Sequence, residues 1–379
     1  MKVALELQPC LKNRSGIGTY TYELTNVLQK SDLKLDGYFF NFLKRHDMSY
    51  ALNGLNIDIQ ICSLFPYGVY RRLWNIVPIP YRWLFKQDAD IVHFFNFIVP
   101  PGVKGKVVTT IHDAVWLRYP ETMEKKNWRR ISKDIQYSVD RADRIVTVSE
   151  STKRDLIELL QVPAEKIVIA SPGVDIKKYQ KAYSEQERLA VRNRYGLPEQ
   201  YILCLGNLEP RKNIERLLQA YAQLLKNQVF SKYKLVLVGG KGWKYENIFK
   251  QIEQLGLSEH VVFTGYVDEE DKVAIYQMAK LFVYPSLFEG FGMPVAEAMA
   301  AGVPVITSNV SSMPEVAGDA GILVNPENVD NIADAMQHLL SDEKLYQQCV
   351  HRGLQQCMKF TWERSADILI KMYEDIMQE

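Results

Sequence analysis

The sequence predicts an α/β protein made of two doubly wound, Rossmann-like domains, each a parallel sheet with helices on both faces. Three observations carry that prediction. Short apolar, β-rich runs alternate with amphipathic helical patterns through most of the chain. Glycines follow several of these runs, where strand gives way to helix. The length of 379 residues suffices for two domains of ordinary size, each with its own core.

Composition narrows the class. Hydrophobic residues at 47% and charged residues at 24% fit a soluble globular chain. The five cysteines (Cys10, Cys62, Cys204, Cys349, Cys357) are odd in number and form no C-x-x-C pair. Neither a disulfide framework nor a zinc site is indicated, so a reducing, cytoplasmic compartment is expected. No long apolar run follows Met1-Lys-Val-Ala-Leu-Glu6, which speaks against a signal peptide, and no stretch of about 18 apolar residues exists to span a membrane. The net charge of +1 conceals an asymmetry: residues 1–180 hold 26 Lys and Arg against 19 Asp and Glu, and residues 181–379 hold 20 against 26. An excess of base in the first half suggests an anionic partner such as a membrane surface or a lipid phosphate, with a chance spread of solvated charge as the competing reading. Nucleic acid is disfavoured, because the whole chain is not basic and no nucleic-acid motif occurs.

In the first half, residues 2–7 read as a strand leading into Asn13-Arg-Ser-Gly-Ile-Gly18 and a helix with Ile17, Tyr20, Leu24, Val27 and Leu28 on one face. Strand, glycine loop and helix suggest a nucleotide-fold unit, although G-x-G also serves a simple tight turn. Residues 65–86 interleave aromatic side chains such as Tyr67, Tyr70, Trp74, Tyr81, Trp83 and Phe85 with Arg71, Arg72, Arg82 and Lys86. That mixture suits a membrane interface or a packed helix pair with basic rims. Strands at 90–94 and 107–111 follow, the second ending at His112-Asp113. Ligands of open α/β sheets bind beyond the carboxyl ends of strands, which makes His112 a candidate and His93, on the preceding strand, a second one. A helix to residue 141, a strand at 143–149 ending in a Ser149 and Ser151 cap, and a strand at 167–171 complete this half. Pro172-Gly173 marks the boundary, giving domains of residues 1–172 and 173–361.

In the second half, a buried strand at 201–206 opens onto Asn207-Leu-Glu-Pro-Arg-Lys-Asn213. Asn213 is expected to cap a helix whose apolar face is Ile214, Leu217, Leu218, Tyr221, Leu224 and Leu225. Arg211 and Lys212 before that helix oppose its dipole; a bound pyrophosphate would explain them, and two plain surface cations are the alternative. Strands at 234–238 and 261–263 end in Gly239-Gly240 and Gly265-Tyr266-Val267. A strand at 281–284 is closed by Pro285 and followed by Glu289-Gly-Phe-Gly-Met-Pro-Val-Ala-Glu297. Gly290 and Gly292 let the backbone approach a ligand, Pro294 suits the first position of a helix, and Gly302 with Pro304 ends it. Backbone N–H groups and a positive helix end thus favour an anion there. Glu289, and Glu297 in the expected first turn, are suited to accept hydrogen bonds from sugar hydroxyls; complementing the helix dipole is the alternative for Glu297. Helices at 343–356 and 362–378 close the chain, with Trp362 as a packing anchor.

The run Glu-Gly-Phe-Gly-x-Pro-x-x-Glu-Ala-Met at 289–299 resembles the E-x7-E signature of family 4 glycosyltransferases, retaining enzymes of the GT-B fold. Gly206-x-Leu-x-x-x-Lys-Asn213 resembles the phosphate-contacting loop of the same family. The similarity covers most of the chain and is most specific over 206–302. It implies a GT-B arrangement of two Rossmann-like domains facing across a cleft, with the C-terminal helix, 362–379, crossing back to the first domain. It further implies a nucleotide-diphosphate sugar in the second domain and a glycan or lipid-linked acceptor in the first.

The resemblance also assigns roles. His112, Glu289, Arg211 and Lys212 become the catalytic candidates. Gly16, Gly18, Gly206, Gly239, Tyr266, Val267, Gly290, Phe291, Gly292 and Met293 become donor contacts, with Glu297 at the ribose. The implied chemistry is front-face retaining hexosyl transfer without an enzymic nucleophile, with Arg211 and Lys212 doing the work of a divalent ion. The one Asp-x-Asp, Asp88-Ala-Asp90, precedes a strand, the wrong end for a metal at the cleft. No metal and no cofactor beyond the donor substrate is expected. GDP-mannose is the first donor expected and UDP-glucose the second, in polysaccharide biosynthesis at the inner face of a membrane. An epimerase-like or phosphorylase-like GT-B enzyme and a non-catalytic sugar-nucleotide-binding module are the alternatives.

Overall fold

Apolar β-branched runs such as Val107-Val-Thr-Thr-Ile111 are buried on both faces, which only parallel sheets covered by helices allow. The computed structural model of the chain describes residues 1–11, 16–44, 48–74, 76–77, 79–86 and 88–379. It forms two compact units, one of Met1–Gly173 with Trp362–Glu379 and the other of Val174–Thr361.

The first unit holds a seven-stranded parallel sheet. Its strands are β1 (Lys2–Glu6), β2 (Lys34–Phe40), β3 (Asp58–Cys62), β4 (Ile91–Phe94), β5 (Lys106–Ile111), β6 (Arg144–Thr147) and β7 (Ile167–Ile169). They lie in the order β3-β2-β1-β4-β5-β6-β7, so the direction of winding reverses between β1 and β4. The helix Trp362–Gln378 packs on the helix Gly16–Leu28: Trp362 meets Tyr20 edge-on at 5.9 Å, Ser365 donates to the Ser171 carbonyl, and Tyr373 bonds His93 Nδ1 at 2.6 Å.

Two expectations for this unit need correction. Gly16 and Gly18 stand in the first turn of the helix Gly16–Leu28, not in a loop before it; Asn13, Arg14 and Ser15 lie outside the described residues. The aromatic stretch is not one surface either. Tyr70, Trp74, Tyr81 and Phe85 are core, with Phe85 stacked on Tyr38 and Tyr70 on Phe40, whereas Leu64, Ile76, Val77 and Trp83 are exposed, Trp83 by 71%.

The second unit holds a six-stranded parallel sheet. Its strands are β8 (Tyr201–Leu205), β9 (Lys234–Val238), β10 (Val261–Gly265), β11 (Leu281–Tyr284), β12 (Val305–Ser308) and β13 (Ile322–Val324), in the order β10-β9-β8-β11-β12-β13. Here the winding reverses between β8 and β11. The apolar stripe Ile214, Leu217, Leu218, Tyr221 and Leu224 is buried along the helix Ile214–Leu224. The five cysteines are buried and none forms a disulfide. Among the described residues no helix is long and apolar enough to cross a membrane.

Candidate active site

At the β8–β11 reversal, two strand-end loops meet through charge. After β8, Pro210–Lys212 form a short 3-10 turn, and Asn213 follows with φ of 58°. The Asn213 side chain does not cap the following helix as expected. Its amide instead donates to the carbonyls of Pro285 (3.0 Å) and Pro326 (2.6 Å), tying this loop to the end of β11 and to a third loop. Its backbone conformation turns the side chain away from the helix N–H groups, so the capping pattern misleads.

Arg211 and Lys212 both reach Glu289. Arg211 Nη1 lies 2.6 Å from Glu289 Oε2 and also donates to the Phe288 carbonyl, while its Nη2 donates to Glu209 Oε1 at 2.6 Å. Lys212 Nζ donates to Glu289 Oε1 at 2.6 Å and to the Tyr284 hydroxyl. Tyr284 and Ser286 donate to the same Oε1 at 2.9 and 2.6 Å. Ser311 and Ser312 donate to the Glu289 carbonyl, fixing the backbone as well. Glu289 is only 7% exposed. Burial alone would push its carboxyl up, but the Arg211 and Lys212 charges outweigh that and hold it at about 2. Glu289 is therefore a carboxylate held by two cations, its Oε2 facing Arg211 and its Oε1 accepting from Lys212, Tyr284 and Ser286. The two cations before the helix are explained by Glu289 and Glu209 even without a phosphate. Glu209, Tyr284 and Ser286 were missed in the sequence; the last two flank the motif closely enough to have been suspected.

Glu297 is the fifth residue of the helix Met293–Ala300, and so stands in the second turn instead of the first. Pro294 is correspondingly its second residue. Lys272 donates to Glu297 Oε1 at 2.8 Å and Tyr276 to Oε2 at 3.0 Å, both from the helix Glu269–Met278. Lys272 also pairs with Glu269 at 3.0 Å, and these two carboxylates outweigh burial and raise its pKa. No sequence spacing announced this partner.

The glycines that matter sit where backbones touch. Gly239 has φ of 143°, and a Cβ there would lie 2.1 Å from the Gly206 carbonyl oxygen. Gly206 N–H in turn donates to Val238, and Gly239 N–H to Gly265. Gly292, at φ 106°, leads into the Met293–Ala300 helix with no room for a side chain against Met313. Gly290 and Phe291 are buried, Phe291 against Phe360 at 5.2 Å, and Met293 is half-buried. Past β10, Val267 is buried and Tyr266 is exposed by 61%.

His112 belongs to the first unit, with Gly16 and Gly18. Its Nε2 lies 2.7 Å from the Phe95 carbonyl, which can only accept, so Nε2 carries the proton. Burial lowers its pKa to about 4, against a smaller opposite effect of that bond, so the ring is neutral near pH 7. Nδ1 is then left as an acceptor. Asp113 shapes the loop by accepting from Val115 N–H at 3.1 Å. His93 is wholly buried between Tyr373 and Thr110 and is a packing residue. Among the described residues no group of His, Cys, Asp and Glu is arranged to hold a metal ion. A cavity of about 350 Å³ adjoins the Arg211 loop, lined by Glu209, Asn213, Arg216 and Lys244. A larger one of about 580 Å³ lies where β1 to β3 begin, away from these groups.

Comparison with known proteins bears on this arrangement. Residues 14–178 match the family model for Glycosyltransferase Family 4, and residues 186–356 match that for glycosyl transferases group 1. The chain is 33% identical over 383 residues to the O-antigen chain mannosyltransferase B of Escherichia coli, covering 99% of this chain and 100% of that one. It belongs to the family 4 glycosyltransferases. Another family relative, the serotype-specific mannosyltransferase WbdA of E. coli, is 34% identical over 76% of this chain but matches over only 37% of its own length. Among solved structures, Anabaena Alr3699/HepE in complex with UDP and glucose superposes with a TM-score of 0.75 at 16% identity, covering 99% of both chains. WaaG, a glycosyltransferase involved in lipopolysaccharide biosynthesis, gives 0.73 at 18% identity over 97% of this chain and 99% of its own. These two show the GT-B fold of the family.

Proposed function

We propose that this glycosyltransferase moves a hexose, mannose first and glucose second, from a nucleotide-diphosphate sugar to a glycan or lipid-linked acceptor, with retention at the anomeric carbon. The observation that carries the reading is the convergence of Arg211 and Lys212 on Glu289 beside the Met293–Ala300 helix start. Breaking the sugar–phosphate bond builds negative charge on the departing diphosphate. Preorganised cations and backbone N–H groups stabilise that charge, often as the largest single contribution to rate. Arg211 and Lys212 are paired with carboxylates, so a diphosphate would share them with Glu289 instead of meeting bare charge. In this reading Glu289 and Glu297, though already bonded within the chain, also accept from sugar and ribose hydroxyls, and His112 Nδ1 accepts from a hydroxyl of the sugar. The identity to E. coli mannosyltransferases supports mannose, and GDP-mannose is the donor proposed first.

In this reading the reaction uses no metal and no cofactor, the acceptor binds the first unit, and the enzyme works at the cytoplasmic face of a membrane in polysaccharide synthesis. The exposed Leu64, Ile76, Val77 and Trp83 beside Arg72, Arg82 and Lys86 support attachment to an anionic surface. A thermal-shift panel of nucleotide sugars followed by product anomer analysis tests the whole. Stabilisation by GDP-mannose and an α-linked product are expected; binding without turnover would leave a non-catalytic module.

A further inference from the structure

The turn after β12 grips the loop that carries Glu289, and it does so through serine hydroxyls. Ser308, the last residue of β12, donates to the Ser286 carbonyl at 2.5 Å. Ser311 Oγ donates to the Glu289 carbonyl at 2.5 Å and accepts from the Glu289 N–H at 3.1 Å, so one hydroxyl closes both backbone groups of that residue. Ser312 Oγ lies 3.0 Å from the same carbonyl and 2.8 Å from that of Phe291, and shares its proton between them. Met313 completes the fit: a Cβ on Gly292 would meet its Cε at 2.1 Å.

Neither Ser311 nor Ser312 is arranged for the benefit of its own segment. Ser311 has φ of 57°, in the left-handed region that a residue other than glycine enters at a cost and keeps only where its surroundings impose it. Ser312 stands at the cap position of the short helix Met313–Ala317, yet its side chain caps nothing there. It is fully buried, and its hydroxyl is turned to the neighbouring loop instead. That loop needs holding. Gly290 and Gly292 make its backbone deformable, and Arg211, Lys212, Tyr284 and Ser286 grip the carboxylate of Glu289 while the serines grip the main chain behind it.

We propose that Ser311 and Ser312 are positioning residues for glycosyl transfer. They fix the Glu289–Gly292 backbone, and with it the spacing between the Glu289 carboxylate and the start of the Met293–Ala300 helix. This deepens the transferase reading above and rests on it. Groups that meet charge developing in a transition state act best when they need no rearrangement at that moment. Misplacement on the scale of an ångström is enough to slow a reaction strongly. Loosening this loop therefore slows the chemical step more than it weakens donor binding.

The test uses the full chain with GDP-mannose and an α-linked mannobiose as acceptor probe, together with amide exchange read by mass spectrometry. Ser311→Gly suits the left-handed backbone, and Ser312→Ala suits a helical backbone and removes no cap, so both are expected to fold, as a melt will show. In each, kcat should fall about tenfold, the scale of one lost hydrogen bond to a buried group. KM for GDP-mannose should stay within about twofold of wild type. Exchange over residues 286–292 should rise while that of 281–284 in β11 stays level, a local effect that general destabilisation would not give. Wild-type kcat in both variants would overturn the proposal, and so would unmoved exchange over 286–292. A rise in KM at constant kcat would overturn it too, because the serines would then serve donor binding alone. A wild-type chain that turns over no nucleotide sugar sinks the transferase reading, and exchange over 286–292 then decides by itself whether the serines hold the loop.

Discussion

Lys212 Nζ and Glu289 Oε1 lie 2.6 Å apart, joining loops 77 positions distant in sequence. The pair is buried, so neither partner is expendable: removing one leaves an uncompensated charge, at a cost on the order of 3–5 kcal/mol. Lys212→Ala should therefore abolish turnover and lower the melting temperature while a folded chain remains. Lys212→Met combined with Glu289→Gln should regain part of that stability and none of the activity. Wild-type turnover in Lys212→Ala would remove the lysine from the mechanism.

Glu289→Gln alone has a less obvious outcome. It deletes the charge that both Arg211 and Lys212 now face. Free nucleoside diphosphate should then bind more tightly, about tenfold for each 1.4 kcal/mol gained, even as sugar transfer falls. Calorimetry with GDP against both proteins checks this; weaker GDP binding in the variant would contradict it.

If, as proposed, Arg211 and Lys212 supply the positive charge at the diphosphate, turnover should persist in EDTA. Loss of activity in chelator, restored by magnesium or manganese, would reverse that expectation.

Stability against pH should carry the mark of Glu6. Burial raises its pKa from the ordinary 4.5 to about 8, against smaller opposing effects of the Gln8 N–H and Arg71. The groups facing it are Tyr67 and Arg71 from the helix Tyr67–Leu73 and Tyr81 from the following turn. The native state holds this proton longer than the unfolded state does, so its stabilising effect is full below pH 4.5 and is lost as pH rises to about 8. The slope reaches at most about 1.4 kcal/mol per pH unit. His112 acts oppositely, burial having lowered it to about 4, so its contribution is full above pH 6.5 and lost on acidification. Glu6→Gln should flatten the decline between pH 6.5 and 8 in denaturant titrations. An unchanged slope would mean that Glu6 is ionised in the native state.

Cosedimentation with anionic vesicles should be salt-sensitive. Each Lys or Arg near such a surface contributes about 1 kcal/mol, and Trp83 adds apolar contact. Trp83→Ala should weaken binding at low salt; a wild-type chain that stays in the supernatant there would end the membrane proposal.

The parallel sheets were legible because buried strands are continuous apolar runs, and the 214–224 helix because its stripe is regular. The E-x7-E and Arg-Lys segments were legible as motifs. What the sequence hid was pairing: Lys272 with Glu297, Asn213 with two distant carbonyls, and Tyr81 beside Glu6 depend on crossovers that place remote residues together. The 65–86 stretch was ambiguous because its core and surface aromatics alternate without a clean period. Gly16 and Gly18 misled because glycine after a strand signals a loop, yet here both begin a helix.

Asn213 sets a rule for anyone building chimeras from this enzyme and its relatives. Its amide joins the loop after β8 to Pro285 and to Pro326, 113 positions away. A crossover placed between those positions would set an amide from one parent against carbonyl loops shaped by the other. Segments 207–213, 285–289 and 325–327 form one inheritable block, and donor preference should be transplantable only when all three travel together.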